Sequence, residues 1–116
     1  MVKQYRYAYG EEVWEIPAGK RNPNEPPEIT ARRELEEEGG IYAARLEKMF
    51  EIYPTPGYTD EVIHLYRAVS FERTKPRLDE GEFLCAEWIE KSKLKQMVKD
   101  GLIKDGKTLI ALLSVL

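Results

Sequence analysis

Apolar and polar positions divide this chain into eight short segments. VKQYRYAY at 2–9 and EVWEI at 12–16 read as two strands joined at Gly10. Pro17 and Gly19 end the second, and KRNPNEPP at 20–27 is a polar, proline-rich loop. From about Pro26 to Glu38 the pattern turns helical, with Ala31 and Leu35 as its inward stripe. Asn24 or Glu25 is placed to cap that helix, a proline in the first turn is tolerated, and Gly39 and Gly40 stop it. Residues 42–53 are strand-like, and PTPGYTD at 54–60 is a loop. EVIHLYRAVSF at 61–71 is the strongest strand, rich in β-branched and aromatic residues. The charged loop RTKPRLDEGE at 73–82 leads into a strand at 83–90. SKLKQMVKDG at 92–101 is an amphipathic helix with Leu94, Met97 and Val98 on one side, and a last helix starts near Asp105. The order β-β-α-β-β-β-α-α predicts an α+β fold with helices packed on a sheet.

Composition narrows the class. A length of 116 residues suits one domain. Apolar residues at 42% are too many for an extended disordered chain. The net charge of −3 gives no general affinity for nucleic acid, so a phosphorylated ligand would need local cations. Cys85 is alone, which excludes an intrachain disulfide and fits a reducing cytoplasm; it is expected to be a small buried apolar residue. The first residues carry no signal-peptide pattern, and the apolar run LIALLSVL at 109–116 is too short to span a bilayer, so no membrane association is expected.

The chemistry is concentrated in ITARRELEEEGG. Glu34, Glu37 and Glu38 are spaced i, i+3 and i+4, which puts them within an arc of about 100° on one helix face. By itself such a run reads as a solvated face. If the face is partly buried, three carboxylates repel, and a hard divalent cation such as Mg²⁺ resolves the repulsion. Arg33, four residues before Glu37, is placed to hold it.

Gly19, Glu25, Arg33, Glu34, Leu35, Glu37, Glu38, Gly40 and Ile41 occupy every fixed position of the Nudix box, without gap or substitution over residues 19–41. The spacing runs through a loop, a helix and a helix stop, so the chain resembles the Nudix hydrolase family. That resemblance implies a single Nudix domain over 1–116, an α/β/α sandwich around a mixed β-sheet. It implies Mg²⁺, with Mn²⁺ able to substitute, held by Glu34, Glu37, Glu38 and the Ala18 carbonyl. It also implies supporting roles for Arg33 and Glu25, and backbone-shape roles for Gly19 and Gly40.

The box sets a reaction class, hydrolysis of the pyrophosphate in a nucleoside diphosphate linked to another moiety. Substrate choice lies elsewhere. KQYRYAYGEEVWEIPAG at 3–19, PTPGYTDEVIHLY at 54–66 and DEGEF at 79–83 resemble the ADP-ribose pyrophosphatase branch, though hydrolases of other nucleotide sugars such as GDP-mannose share much of this. The branch makes Arg6, Glu15, Pro56 and Gly57 the candidate substrate contacts. Arg6 also reads as an ordinary strand residue, and Pro56-Gly57 as a plain turn. Glu82 is the candidate base, with Asp79 and Glu80 as nearby substitutes and Glu37 and Arg33 completing the catalytic set. His64 reads as structural; Trp14 and Trp88 read as core or interface residues. ADP-ribose would give AMP and ribose 5-phosphate. A binding module that holds a nucleotide sugar without cleaving it is the rival reading.

The branch also implies an N-terminal region of several dozen residues that exchanges between subunits. The sequence begins almost at the core, so apolar surface near the first two strands is expected to stay open to self-association, with a homodimer as the simplest form.

Overall fold

A computed structural model describes all of residues 1–116 and yields the expected order of elements. These are β1 (Val2–Arg6), β2 (Glu11–Glu15), α1 (Pro27–Gly39), β3 (Ile41–Ile52), β4 (Ile63–Arg73), β5 (Leu84–Ala86), α2 (Lys91–Lys99) and α3 (Gly106–Val115). No helix is long and apolar enough to cross a membrane.

The α+β class is as the sequence predicts. The hydrogen-bonded ladders, however, are all antiparallel and form two sheets. One has the order β2-β1-β5, and the other is the β3–β4 hairpin. The hairpin shifts register near Arg45 and between Lys48 and Phe50. Such irregularities bend a ribbon and increase its twist. Helix α1 packs on β3, β4 and β5, and α3 packs on β2 and β4, so β4 touches both helices.

The buried apolar cluster is Met97, Ile103 and Leu112, with Trp14, Leu94, Val98 and Leu109 packed against it. It ties α2 and α3 to β2, the strand that leads into the candidate site. Fully burying side chains of this size contributes about 1.5–3 kcal/mol each.

Several expectations are corrected. β1 ends at Arg6, because Tyr9 and Gly10 both donate backbone N–H to the Arg6 carbonyl and Gly10 takes φ 64°. The alternating tyrosines suggested a longer strand, but Tyr7 and Tyr9 are in solvent, 93% and 80% exposed, and a local turn wins. β5 covers three residues rather than 83–90. Cys85 lies exposed in this short strand instead of buried. Neither Asn24 nor Glu25 caps α1. Pro26 is the N-cap with no side-chain bond, and Glu25 is drawn instead to Thr30 and Arg33. The face of α1 that is buried is polar, Thr30 and Glu38, while Ala31 and Leu35 are only half-buried. Trp14 packs on the core, while Trp88 is exposed, stacked on Phe71 and beneath the Arg73 guanidinium.

Candidate functional site

Arg33 organises one side of the carboxylate face, reaching Glu25, Glu34 and Glu37. Its guanidinium donates to Glu25 Oε1 at 3.0 Å and Oε2 at 3.3 Å, to Glu34 Oε1 at 2.7 Å and to the Lys20 carbonyl at 3.3 Å. The i,i+4 contact with Glu37, expected from spacing, is the longest of its carboxylate bonds at 3.5 Å. Glu25 also accepts from the Thr30 hydroxyl at 2.6 Å and the Asn22 N–H at 3.2 Å. The Arg33, Thr30 and Asn22 hydrogen bonds hold its carboxyl at about 2. In turn, the Glu25 hydrogen bond holds the Arg33 guanidinium firmly charged, above its ordinary value.

Glu34 and Glu38 are different. Burial raises the Glu34 carboxyl above its ordinary value, and the charges of Glu37 and Glu82 push the same way, against the pull of Arg33. Glu38 is buried, and burial pushes it up to about 7. Its hydrogen bond from Ala18 N–H, 3.1 Å to Oε2, opposes the rise, while the charges of Glu34, Glu82 and Glu15 add to it.

Two glycines make this geometry available. A Cβ on Gly19 would fall on the Glu34 carboxylate, so any larger residue would push that side chain from its present position. Gly40 takes φ 64° in the left-handed region and closes α1 by donating to the Glu36 carbonyl. A Cβ there would also meet the Thr74 carbonyl at 2.7 Å.

The loop after β4 is tethered to the end of α1. Thr74 N–H donates to the Gly40 carbonyl at 2.6 Å, and Arg77 N–H to the Glu37 carbonyl at 2.7 Å. This loop then carries Glu82, whose carboxylate accepts from Asp79 N–H at 2.8 Å. The negative charge of Glu82 adds to the rise at both Glu34 and Glu38.

Beside this face, Glu15 is buried and receives two bonds from Arg6, at 2.7 and 2.8 Å, and one from Lys107 at 2.8 Å. Burial pushes its carboxyl up, but Arg6 and Lys107 outweigh that and hold it below its ordinary value. A cleft of about 550 Å³ lies here, lined by Arg6, Tyr7, Tyr9, Glu15, Lys104 and Lys107 among others. Pro56 and Gly57 are elsewhere, in an exposed turn closed by Tyr58 and Thr59 donating to the Thr55 carbonyl. No hydrogen bond joins that turn to α1. His64 is the second residue of β4, its Nδ1 3.6 Å from Glu51.

Lys107, Thr108 and Thr30 were not singled out from the sequence, and Asp105 was read only as the start of the last helix. The aspartate marks a helix start in the sequence, but that signal does not reach Thr108. The bonds from α3 to Glu15 and Ile16 link residues 92 apart and leave no local trace.

No three His, Cys, Asp or Glu side chains converge, as they stand, to enclose an ion. Arg33 draws Glu34 and Glu37 towards itself, and Glu38 faces Ala18. The donor set nevertheless suits a hard divalent cation. It is all oxygen, lies on one helix face, and includes two carboxylates raised by burial and by their neighbours' negative charge.

A helix presenting clustered glutamates, a glycine segment passing against it and a bracing arginine are the parts of a Nudix box. The family model described as NUDIX domain matches residues 1–112, and the chain belongs to that family. It is 40% identical to the ADP-ribose pyrophosphatase of Bacillus subtilis (strain 168) over 114 residues, 97% of this chain and 62% of that protein. It is also 40% identical to the methanol dehydrogenase activator of Bacillus methanolicus over 113 residues, 96% of this chain and 61% of that one. A GDP-mannose pyrophosphatase of Yersinia enterocolitica is 36% identical over 92 residues, 77% of this chain and 48% of its own length. The chain thus spans about three fifths of the first two relatives, 61% and 62%. A solved chain from work on MutT of Aliivibrio salmonicida and Vibrio cholerae shares the fold, with TM-score 0.58 and 23% identity over 83% of this chain and 72% of that one.

Proposed function

We propose that this chain carries the hydrolytic centre of a divalent-cation-dependent pyrophosphohydrolase. Its substrate would be a nucleoside diphosphate joined to a second moiety, ADP-ribose first, cut to AMP and ribose 5-phosphate. The observation that carries the reading is the carboxylate face of α1, where buried Glu38 accepts the Ala18 N–H and half-buried Glu34 lies between Arg33 and Gly19.

Glu34, Glu37, Glu38 and the Ala18 carbonyl would hold Mg²⁺, or Mn²⁺ in its place. When bound, the cation supplies positive charge at the pyrophosphate and acidifies water. Arg33 keeps the glutamates in register through Glu25 and Glu34. Glu82 takes the proton as water attacks phosphorus. Arg6, 44% exposed, would exchange part of its bond to Glu15 for a phosphate oxygen, to which a guanidinium fork is well matched. Pro56 and Gly57 would shape the substrate only by a movement of their turn.

The relatives named ADP-ribose pyrophosphatase support ADP-ribose, and those named GDP-mannose pyrophosphatase support a second reading, another nucleotide sugar. The intact set of three box glutamates favours hydrolysis over a binding module that holds without cleaving. With Mg²⁺ present, the protein should be offered ADP-ribose, GDP-mannose, ADP-glucose and diadenosine polyphosphates, and product phosphomonoesters measured. ADP-ribose is expected to turn over fastest. Tight binding of ADP-ribose with no turnover of any substrate would overturn hydrolysis in favour of the binding module.

A further inference from the structure

Thr108 is fully buried at 0% exposure, and its hydroxyl reaches beyond its own helix. It donates to Asp105 Oδ2 at 2.6 Å and accepts the Ile16 backbone N–H at 2.9 Å. Because the proton goes to Asp105, a lone pair is left aimed at Ile16. Asp105 is itself fixed, since it caps α3 by accepting Thr108 N–H at 3.1 Å and binds Lys107 at 3.0 Å. Lys107 also reaches Glu15, the residue before Ile16. One helix start therefore grips two consecutive residues at the end of β2.

The grip is passed along the chain. Pro17 follows Ile16, and its ring fixes one of its two backbone angles. Next comes Ala18, whose N–H meets Glu38, and then Gly19, which passes against Glu34. The residues from Ile16 to Gly19 thus have little freedom between α3 on one side and α1 on the other. A buried threonine that only fills space could be replaced by valine at small cost. A threonine that holds Ile16 could not, because valine leaves that N–H unpaired.

We propose that Thr108, oriented by Asp105, is a positioning residue that fixes the Ile16–Gly19 segment and so sets the Ala18 peptide against the carboxylate helix. The inference rests on the proposed cation-dependent function, for which Ala18 supplies a ligand. Losing an outer partner of a metal ligand typically weakens affinity about 10- to 100-fold.

The test is Mn²⁺ titration followed by electron paramagnetic resonance on wild type, Thr108→Val and Thr108→Ser, with amide exchange of the metal-free proteins. Thr108→Val should weaken Mn²⁺ binding about 10-fold and speed exchange at Ile16 and Ala18, while amides within β3 and β4 stay protected. Thr108→Ser, which keeps the hydroxyl, should restore both readouts. A folded Thr108→Val with wild-type Mn²⁺ affinity overturns the inference alone. A wild type that binds no Mn²⁺ overturns the functional reading and this inference with it. Should Thr108→Val fail to fold, exchange on the wild type decides. Protection of Ile16 equal to that inside α3 supports the inference, and free exchange at Ile16 overturns it.

Discussion

Ala18 and Glu38 are joined directly, the backbone N–H of one donating to the buried carboxylate of the other over 3.1 Å. The residue just before the box and the last box glutamate therefore share one rigid local frame. Glu38→Gln should keep that bond, since an amide oxygen also accepts, and the fold should persist. Mn²⁺ affinity and turnover should both fall steeply, turnover by about 10²-fold or more, because the box loses a buried anion. Titration calorimetry together with circular dichroism checks this, and full wild-type activity in excess chelator would sink the cation dependence itself.

Glu82 is expected to be the proton acceptor. Glu82→Gln should lower kcat by about 10²-fold, the scale of a lost general base, with Mn²⁺ affinity little changed. Steady-state kinetics on Glu82→Gln, Glu80→Gln and Asp79→Asn separates the three acids of the loop. Near-normal kcat in Glu82→Gln with loss in either other variant would reassign the base. Near-normal kcat in all three would leave the loop with no catalytic part.

The bonds around Glu15 predict a pH dependence of stability. Arg6 and Lys107 hold its carboxyl below 4.5 in the folded protein. Such a depressed acid contributes stability above its unfolded value and loses it as pH falls through the folded one. Glu15→Gln should therefore be less stable at pH 7 by on the order of 2 kcal/mol, below the full penalty for a buried pair because Arg6 is partly exposed. The gap to wild type should shrink as acid is added below pH 4.5. Urea unfolding at several pH values measures it, and a gap that widens on acidification would refute the assignment.

Gly40→Ala should be strongly destabilising. The residue sits at φ 64°, which costs an alanine about 1–2 kcal/mol. The new methyl would also press on the Thr74 carbonyl, so the measured loss should exceed the dihedral cost alone. Gly101, also at positive φ but with open space around it, is the control; Gly101→Ala should show only the smaller loss in the same unfolding experiment.

Tyr5, Tyr7 and Tyr9 are 52%, 93% and 80% exposed beside the first two strands. Light scattering should detect concentration-dependent self-association, weakened in Tyr7→Ser. A monomer at every concentration would refute it.

The order of elements and the glutamate face were legible because both rest on local periodicity. Glu34, Glu37 and Glu38 needed only a helical turn to come together. Gly19 and Gly40 were legible as glycines, but not the Glu34 carboxylate and Thr74 carbonyl that lie against them, which come from other segments. The same holds for Lys107 and Thr108, which depend on α3 docking against β2. Cys85 was misplaced because small apolar residues are usually buried, whereas its strand is three residues long and leaves it in solvent. Tyr7 and Tyr9 imitated strand alternation inside a turn.

The tether between the loop and α1 bears on how this fold tolerates length variation. Thr74 and Arg77 are fastened to Gly40 and Glu37, and beyond Phe83 the chain is fastened again as β5 pairs with β1. Between these anchors lies a short arm, Leu78 to Phe83, with Glu82 near its far end. Extra residues inserted next to Gly81, which has open space around it, would lengthen the arm without touching either anchor. The same insertion at Lys75 would separate two bonds that close on one helix end. Length changes between related chains should therefore collect in the arm and be scarce at its root.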